Sequence, residues 1–336
     1  MGNKKWRVVC IVTVVLLCAF TAVSAQKAYP TKAIEAIVPW GAGGVTDTIA
    51  RNFVAPFEKD LGVPIVITNK AGASGAIGSQ FVLTKPADGY TILFSAETLG
   101  TMKVLGMADI DFRDFEPIIL ISGFIPTVTV SANAPWNTVQ ELIEDAKKRP
   151  GKIIAGYAGP GSTGHISSLL FSKQSGAKLN IVPFGSGAEV SAAILGGHVD
   201  VVMNPLGDNI ENYKAGKLKL LATFTNEPVK QVPLVPALGK AVPEFQEVLP
   251  WGPMISILVK KGTPEEVKEK LKKAAIVAVN DEKWIAFLDR YCANPLNLLE
   301  GDFWKFVDSW ISNTTWILYD AGVAKKSPAE FGIPRP

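Results

Sequence analysis

The chain contains few of the side chains on which metal proteins and many enzymes depend. It has three cysteines and two histidines, and Cys10 and Cys18 lie in an N-terminal leader. The remaining thiol, Cys292, has no disulfide partner in the mature chain, so the fold must rely on its core. With only His165 and His198 beside that cysteine, neither a metal site nor a Cys–His catalytic pair is predicted.

The mature chain also lacks an excess of charge of either sign. The leader holds Lys4, Lys5 and Arg7 and no acidic residue, so the 34 basic residues fall to 31, equal to the 31 acidic ones. A nucleic-acid or anionic-membrane partner needs a basic face. We therefore predict no nucleic-acid or membrane-surface partner.

The leader has the parts of an export signal. Its cationic start is followed by the apolar stretch 8–20 and by the small residues Val23, Ser24 and Ala25. The apolar stretch is shorter than the roughly 20 residues of a membrane-spanning helix. We predict a signal peptide over residues 1–25, cleaved after Ala25, and a periplasmic or otherwise extracytoplasmic protein. The alternatives are an uncleaved anchor and lipidation at Cys18.

Common catalytic motifs are missing as well. Pro160 stands where a G-x-S-x-G motif needs a glycine before Ser162, and Ala76 where it needs one after Ser74. The run 159–164 formally matches G-x-G-x-x-G, but no acidic residue follows about 20 positions later to hold a ribose. No cofactor, metal or catalytic residue is predicted.

What the chain does have is three short glycine-rich turns, at residues 40–44, 72–75 and 159–164, each between an apolar β-like run and an amphipathic helix. The start of a helix offers unpaired N–H groups and partial positive charge, which suit an anion. Glycine allows close approach of the backbone, and Ser or Thr adds hydroxyl donors. None of the three turns contains Lys or Arg, although Lys70 lies beside the second turn. The pattern predicts a site that holds a small anion mainly with the main chain.

Alternation of strand and helix patterns predicts an α/β fold with mainly parallel sheets. The expected strands are 34–38, 64–68, 91–95, 153–157, 179–183 and 199–203. In such sheets, ligands bind beyond the carboxyl ends of the strands, where the three turns would lie.

Two long extended passages, 117–132 and 249–259, suggest where the chain crosses between two domains and returns. We predict a first lobe over 27–126 plus 251–336 and a second over 127–250, with one large domain as the alternative. The tail is expected to form helices over 263–278, capped by its Thr-Pro-Glu-Glu start, and over 303–319, packed through its three tryptophans.

A series of motifs runs in a set order through nearly the whole mature chain. They are residues 29–32, 37–47, 69–78, 86–93, 161–165, 182–184, 196–200, 215–218 and 262–264. Taken together and in this order, these motifs resemble those of the receptors of tripartite tricarboxylate transporters, also called Bug proteins. The resemblance implies an exported, two-lobed solute-binding protein with a fold like that of type II periplasmic binding proteins and a cleft between the lobes.

The same resemblance implies what the protein binds and serves. Its ligand would be a small organic carboxylate (a di- or tricarboxylate, an acidic amino acid or an aromatic carboxylate), delivered to the permease subunits of a membrane transporter. We expect a monomer without enzymatic activity. Two other functions stay open: an exported α/β hydrolase that pairs Ser162 with His165 or His198, and a ligand-sensing subunit for a signalling protein.

In the first lobe, the family's ligand loop corresponds to residues 40–47. The candidate contacts are Trp40, Ala42, Gly43, Gly44, Thr46 and Asp47, then Ala73, Ser74 and Gly75 of the second turn, and Ser95 and Glu97 at a strand end. Trp40 either contacts the ligand as part of the pocket wall or packs in the core. Asp47 is expected to order the loop with Arg51, and Ser74 either caps a helix or donates to the ligand. Glu97 either meets an ammonium group of an amino-acid-like ligand, or faces water or caps the turn after it.

In the second lobe, the candidates are Gly161, Ser162, Thr163 and His165 of the third turn, then Phe184, Gly185, Gly187, Asn204 and Asp208. His165 is alternatively a neutral structural donor. Phe184 stands where the family commonly has Tyr, which removes a hydroxyl and favours a more apolar pocket. Asp208 alternatively caps a helix.

Overall fold

Two β-sheets with helices packed against them make up residues 29–336, the part of the chain that the computed structural model describes. The predicted signal peptide lies outside the described residues. Within them, no helix is both long and apolar enough to cross a membrane.

The strands are β1 (Ile34–Val38), β2 (Ile65–Asn69), β3 (Thr91–Ala96), β4 (Phe115–Phe124), β5 (Thr127–Ser131), β6 (Ile154–Tyr157), β7 (Asn180–Pro183), β8 (Val201–Val202), β9 (Leu218–Thr223), β10 (Met254–Lys260) and β11 (Ala293–Leu298). The helices are α1 (Val45–Leu61), α2 (Ala76–Leu83), α3 (Val139–Lys148), α4 (Thr163–Ser175), α5 (Gly187–Leu195), α6 (Leu206–Lys214), α7 (Leu238–Ala241), α8 (Glu265–Val279), α9 (Glu282–Arg290) and α10 (Glu300–Asp320).

The strands form two separate sheets. One sheet has the order β11-β4-β10-β3-β1-β2, and the other has the order β7-β6-β8-β5-β9. We call the first sheet with its helices lobe 1 and the second lobe 2. The boundaries predicted at 126/127 and 250/251 fall between the two sets of strands, and as domain limits they stay a prediction.

Both sheets are mixed, which corrects the expectation of mainly parallel ones. β1 runs parallel to β2 and β3, and β6 runs parallel to β7 and β8. β10 is antiparallel to β3 and β4, and β5 is antiparallel to β8 and β9. The reason lies in the crossings: β4 leads into lobe 2 and β10 leads back, so these neighbours must run in opposite directions.

The C-terminal helix α10 contributes to a core that both lobes share. Phe303 and Val307 of α10 belong to the same buried cluster as Leu120 of lobe 1 and Leu170 of lobe 2. α10 also contacts α4, and Lys173 Nζ lies 2.8 Å from Asp320 Oδ2. The lobes are therefore joined by packing as well as by the two crossings.

The tail confirms its two predicted helices but not the predicted cap. α8 begins at Glu265 with Pro264 as N-cap and no side-chain cap, because the Thr263 hydroxyl donates to the Lys260 carbonyl oxygen (2.7 Å) instead. Trp310 is buried, as expected for core packing, whereas Trp304 and Trp316 are half-buried.

Candidate functional site

A cavity of about 70 Å³ lies between the lobes. Lobe 1 lines it with Trp40, Gly41, Gly44, Val45, Thr46, Ala96, Glu97, Phe124, Pro253 and Ile255; lobe 2 lines it with Ala158, Ser162, Thr163, Gly164, Ser186, Gly187, Asn204, Pro205 and Asp208. None of these lining residues is Lys, Arg or His. Any charge recognition here therefore depends on helix dipoles, polar groups and the two acidic side chains.

Four helices begin at the cavity wall. α1 starts after Gly44, α4 after Ser162, α5 after Ser186 and α6 after Pro205. Gly44, the N-cap of α1, has no side chain that could cap the helix, and the side chain of Ser162, the N-cap of α4, makes no capping hydrogen bond. Helix N-termini from opposite lobes thus create partial positive charge around one enclosed space.

Glu97 is turned into this space, which overturns the expectation that it faces water or caps the turn that follows it. The side chain comes directly after β3 and is 5% exposed. Its Oε1 accepts hydrogen bonds from the Thr163 N–H (3.0 Å) and the Thr163 hydroxyl (2.8 Å). A carboxyl group of lobe 1 therefore satisfies the first N–H of α4 in lobe 2. Burial raises the pKa of Glu97 to about 7, against the lowering effect of the Thr163 hydrogen bonds.

Asp208 places a second carboxyl group at the cavity, also across the lobe boundary. Its Oδ1 accepts a hydrogen bond from the Tyr291 hydroxyl of lobe 1 at 2.9 Å. The N-cap of α6 is Pro205, so Asp208 does not cap that helix as the alternative interpretation held. Burial raises the pKa of Asp208 to about 6, and the bond from Tyr291 acts in the lowering direction.

Two hydrogen-bond donors in the wall have no partner among residues 29–336. They are Trp40 Nε1 and Ser162 Oγ, both buried. A buried donor without an acceptor is costly. Both groups are therefore available to a ligand in the cavity.

Asp47 orders the first turn from outside the cavity. Its Oδ2 accepts from the Gly43 N–H and from Arg51 Nε, each at 2.9 Å, and its Oδ1 accepts from Asn69 Nδ2 at 2.9 Å. Asn69 Nδ2 also donates to the Trp40 carbonyl oxygen at 3.0 Å. Burial would raise the pKa of Asp47, but the hydrogen bonds from Arg51, Gly43 and Asn69 hold it below its usual value. The predicted pair with Arg51 is present.

His165 supports the third turn rather than lining the cavity. Its Nδ1 accepts a hydrogen bond from the Gly161 N–H at 3.1 Å, so it serves as an acceptor where we expected a donor. Its ring stacks on Tyr157 at a centroid distance of 4.5 Å. Burial lowers the pKa of His165 to about 4. Within the described part of the chain Ser162 Oγ makes no hydrogen bond, so the Ser162–His165 pair of the hydrolase alternative is not formed there, and His198 is exposed.

Of the twenty predicted contacts, nine lie in the cavity wall: Trp40, Gly44, Thr46, Glu97, Ser162, Thr163, Gly187, Asn204 and Asp208. The other eleven lie outside it: Ala42, Gly43, Asp47, Ala73, Ser74, Gly75, Ser95, Gly161, His165, Phe184 and Gly185. Their roles in binding stay predictions.

The second turn differs most from expectation. Ala73 and Ser74 have left-handed backbone conformations (φ 47° and 50°), and Gly75 is the N-cap of α2 without a side-chain cap. Ser74 therefore caps no helix, and its Oγ instead lies 3.0 Å from where a Cβ on Gly159 would stand. The turn contacts the other lobe rather than the cavity.

Three further predicted contacts interact with other parts of the protein instead of lining the cavity. The Ser95 hydroxyl donates to the Ala96 carbonyl oxygen at 3.1 Å, and the Gly185 N–H donates to Glu189 Oε2 at 3.0 Å. Phe184 packs against a small apolar cluster of lobe 2.

Sequence reasoning missed ten lining residues: Gly41, Val45, Ala96, Phe124, Ala158, Gly164, Ser186, Pro205, Pro253 and Ile255. Six of these are immediate chain neighbours of predicted contacts, and Ala158 directly precedes the third turn, so the signal was present in or beside the same segments. Phe124, Pro253 and Ile255 come from the crossing passages, whose position between the lobes could have indicated them.

Gly164→Ala is expected to weaken ligand binding at least tenfold and to destabilise the fold by about 1–3 kcal/mol. An added Cβ would stand 2.8 Å from Asn204 Oδ1 and 3.2 Å from Tyr157 Cβ, which pushes the start of α4 away from β6. Gly187→Ala is the matched control at another lining helix start, because its Cβ meets nothing closer than 3.7 Å. Calorimetric titration and urea unfolding of both variants measure the effect. Equal behaviour of the two would show that the position of the α4 N-terminus does not matter.

Known proteins resemble most of this chain. A family model described as "Tripartite tricarboxylate transporter family receptor" matches residues 49–322. Protein BugT of Bordetella pertussis is 30% identical over 303 residues, which cover 89% of this chain and 92% of BugT. The structure of the periplasmic binding protein BugD is 27% identical, with a TM-score of 0.82 over 89% of this chain and 100% of that one. R. palustris Rpa4515 with adipate is 27% identical, with a TM-score of 0.83 over 88% of this chain and 99% of that one. The chain belongs to the family of tripartite tricarboxylate transporter receptors.

Proposed function

We propose that this protein is the extracytoplasmic receptor of a tripartite tricarboxylate-type transporter and binds a small organic carboxylate in the cavity between its lobes. The observation that carries the proposal is the meeting of α1 and α4, helix starts from opposite lobes, at one enclosed cavity. The carboxylate of the solute would accept hydrogen bonds from main-chain N–H groups at the start of α1, because the first N–H of α4 already donates to Glu97. Charge-assisted bonds of this kind are about twice as strong as neutral ones.

Binding would be coupled to lobe closure. Because each wall of the cavity comes from a different lobe, a solute that contacts both walls stabilises the closed arrangement. The closed surface would then be recognised by the permease subunits as the loaded state. The relative that holds adipate supports a carboxylate as the solute. The receptor would act as a monomer and carry no catalysis of its own.

A thermal-shift screen of the mature protein, freed of bound solute by unfolding and refolding, tests the proposal. The panel contains mono-, di- and tricarboxylates, aromatic carboxylates and amino acids. A solute at one hundred times its Kd adds about 2.7 kcal/mol to the free energy of unfolding, so we expect at least one compound to raise the Tm by about 5 °C or more. Trp40→Phe, which removes one unpartnered donor, is expected to reduce the shift, and Trp316→Phe in the tail serves as its control. No shift from any compound, together with no small molecule in native mass spectra, would refute a carboxylate receptor.

A further inference from the structure

The acidic side chains of the cavity do not suit a solute that carries negative charge alone. Glu97 and Asp208 both line the cavity, and none of the lining residues that the structure describes is basic. Neither carboxyl group has a Lys or Arg partner among the hydrogen bonds and ion pairs of residues 29–336. A dicarboxylate would therefore meet two like charges without a neutralising cation, which is unfavourable in an enclosed site.

The same cavity offers both donors and acceptors to a solute. Trp40 Nε1 and Ser162 Oγ are unpartnered donors, and Ser162 is 5% exposed. With the uncapped start of α1, they offer N–H and O–H groups to a carboxylate. Glu97 and Asp208 offer carboxyl oxygens, which accept from the three N–H groups of a protonated primary amine. The wall is thus complementary to a molecule with both an anionic and a cationic end.

We propose that the solute of this receptor carries a protonated primary amine as well as a carboxylate, and that Glu97 and Asp208 select it by binding the amine. The inference rests on the receptor function proposed above and narrows its solute class to amino acids and related amino carboxylates. A quaternary ammonium group is a poorer fit, because the described lining residues include two aromatic rings, those of Trp40 and Phe124, rather than a full aromatic cage.

Matched pairs of compounds that differ only in the amine test the solute class. Solute-free protein is titrated calorimetrically with succinate and aspartate, glutarate and glutamate, propionate and β-alanine, and butyrate and γ-aminobutyrate. We expect the amine-bearing member of the best pair to bind at least tenfold more tightly, which corresponds to one charge-assisted hydrogen bond. Dicarboxylates that bind as tightly as their amine-bearing partners would overturn the inference and leave the receptor function intact. If none of these compounds bound and the thermal-shift screen also found no ligand, the result would count against both the inference and the receptor function.

Two conservative variants test the assigned residues. Glu97→Gln keeps an oxygen that accepts both Thr163 bonds, and Asp208→Asn keeps an oxygen that accepts the Tyr291 bond, while each removes a negative charge. We expect each variant to bind the amine-bearing compound at least tenfold more weakly than the wild type does. Its affinity for the compound without the amine should be unchanged or higher. Glu244→Gln, an exposed acid of lobe 2, makes the same change in net charge as a control. An equal loss for both members of a pair would show a merely structural role and overturn the assignment.

Discussion

Gly252→Ala is expected to lower the free energy of unfolding by about 3 kcal/mol or more, because it places a Cβ where backbone already lies. The added atom would be 2.0 Å from the Phe124 carbonyl oxygen. That backbone cannot easily move, since the Phe124 N–H donates to the Pro253 carbonyl oxygen at 3.0 Å. The Gly252 carbonyl oxygen also accepts from Trp310 Nε1 at 2.8 Å. The residue lies where the chain returns from lobe 2, so the loss would affect both lobes.

Urea unfolding followed by tryptophan fluorescence and circular dichroism measures this loss. Gly301→Ala is the control, because a Cβ there meets nothing within 4 Å. The control should unfold within about 0.5 kcal/mol of the wild type. If Gly252→Ala behaved like the control, the close approach of the two crossing passages would be refuted.

Glu97→Gln is expected to stabilise the solute-free protein at pH 8 by on the order of 3 kcal/mol and to change its stability little at pH 5. Burial raises the pKa of Glu97 from 4.5 to about 7 in the folded state. Between these values the folded state binds more protons than the unfolded state. The contribution of Glu97 to stability is therefore present below pH 4.5 and is lost as the pH rises through 7. Glutamine does not titrate, so the free energy of unfolding of the variant does not fall for this reason as the pH rises.

The comparison with the variant is needed because other buried groups titrate in the same range. Asp208, whose pKa burial raises from 3.8 to about 6, acts in the same direction as Glu97. His165 acts in the opposite direction: burial lowers its pKa from 6.5 to about 4, so stability falls as the pH falls through that range. Their effects cancel in the difference between wild type and Glu97→Gln. Denaturant midpoints from pH 5 to pH 8 give that difference, and a constant value below about 1 kcal/mol would contradict the burial of a titrating Glu97.

Local patterns predicted six strands that the structure contains, because such patterns depend on residues that are close in sequence, but they missed β9 and β11. β1 has the predicted bounds, Ile34–Val38, and the first and third turns each lead into a helix at the cavity. The relative direction of β4 and β10 could not be predicted this way, since it depends on how the chain crosses between lobes.

The orientation of acidic side chains was predicted least well. Glu97 and Asp208 each bond to the opposite lobe, through Thr163 and Tyr291, and those partners are far away in sequence. A helix-start pattern also does not fix backbone conformation: the second turn is glycine-rich like the other two, yet Ala73 and Ser74 are left-handed there. Long-range contacts decide such positions, and no short window of sequence contains them.

The reliance of the cavity on helix starts has a consequence for how such receptors change over generations. A main-chain N–H survives every amino-acid replacement except proline, so drift at positions around the cavity leaves these donors in place. Replacements there alter shape and charge instead, through side chains such as Trp40 and Glu97. We therefore expect that a change of solute needs only a few exchanged side chains, while the main-chain donors around the cavity stay the same.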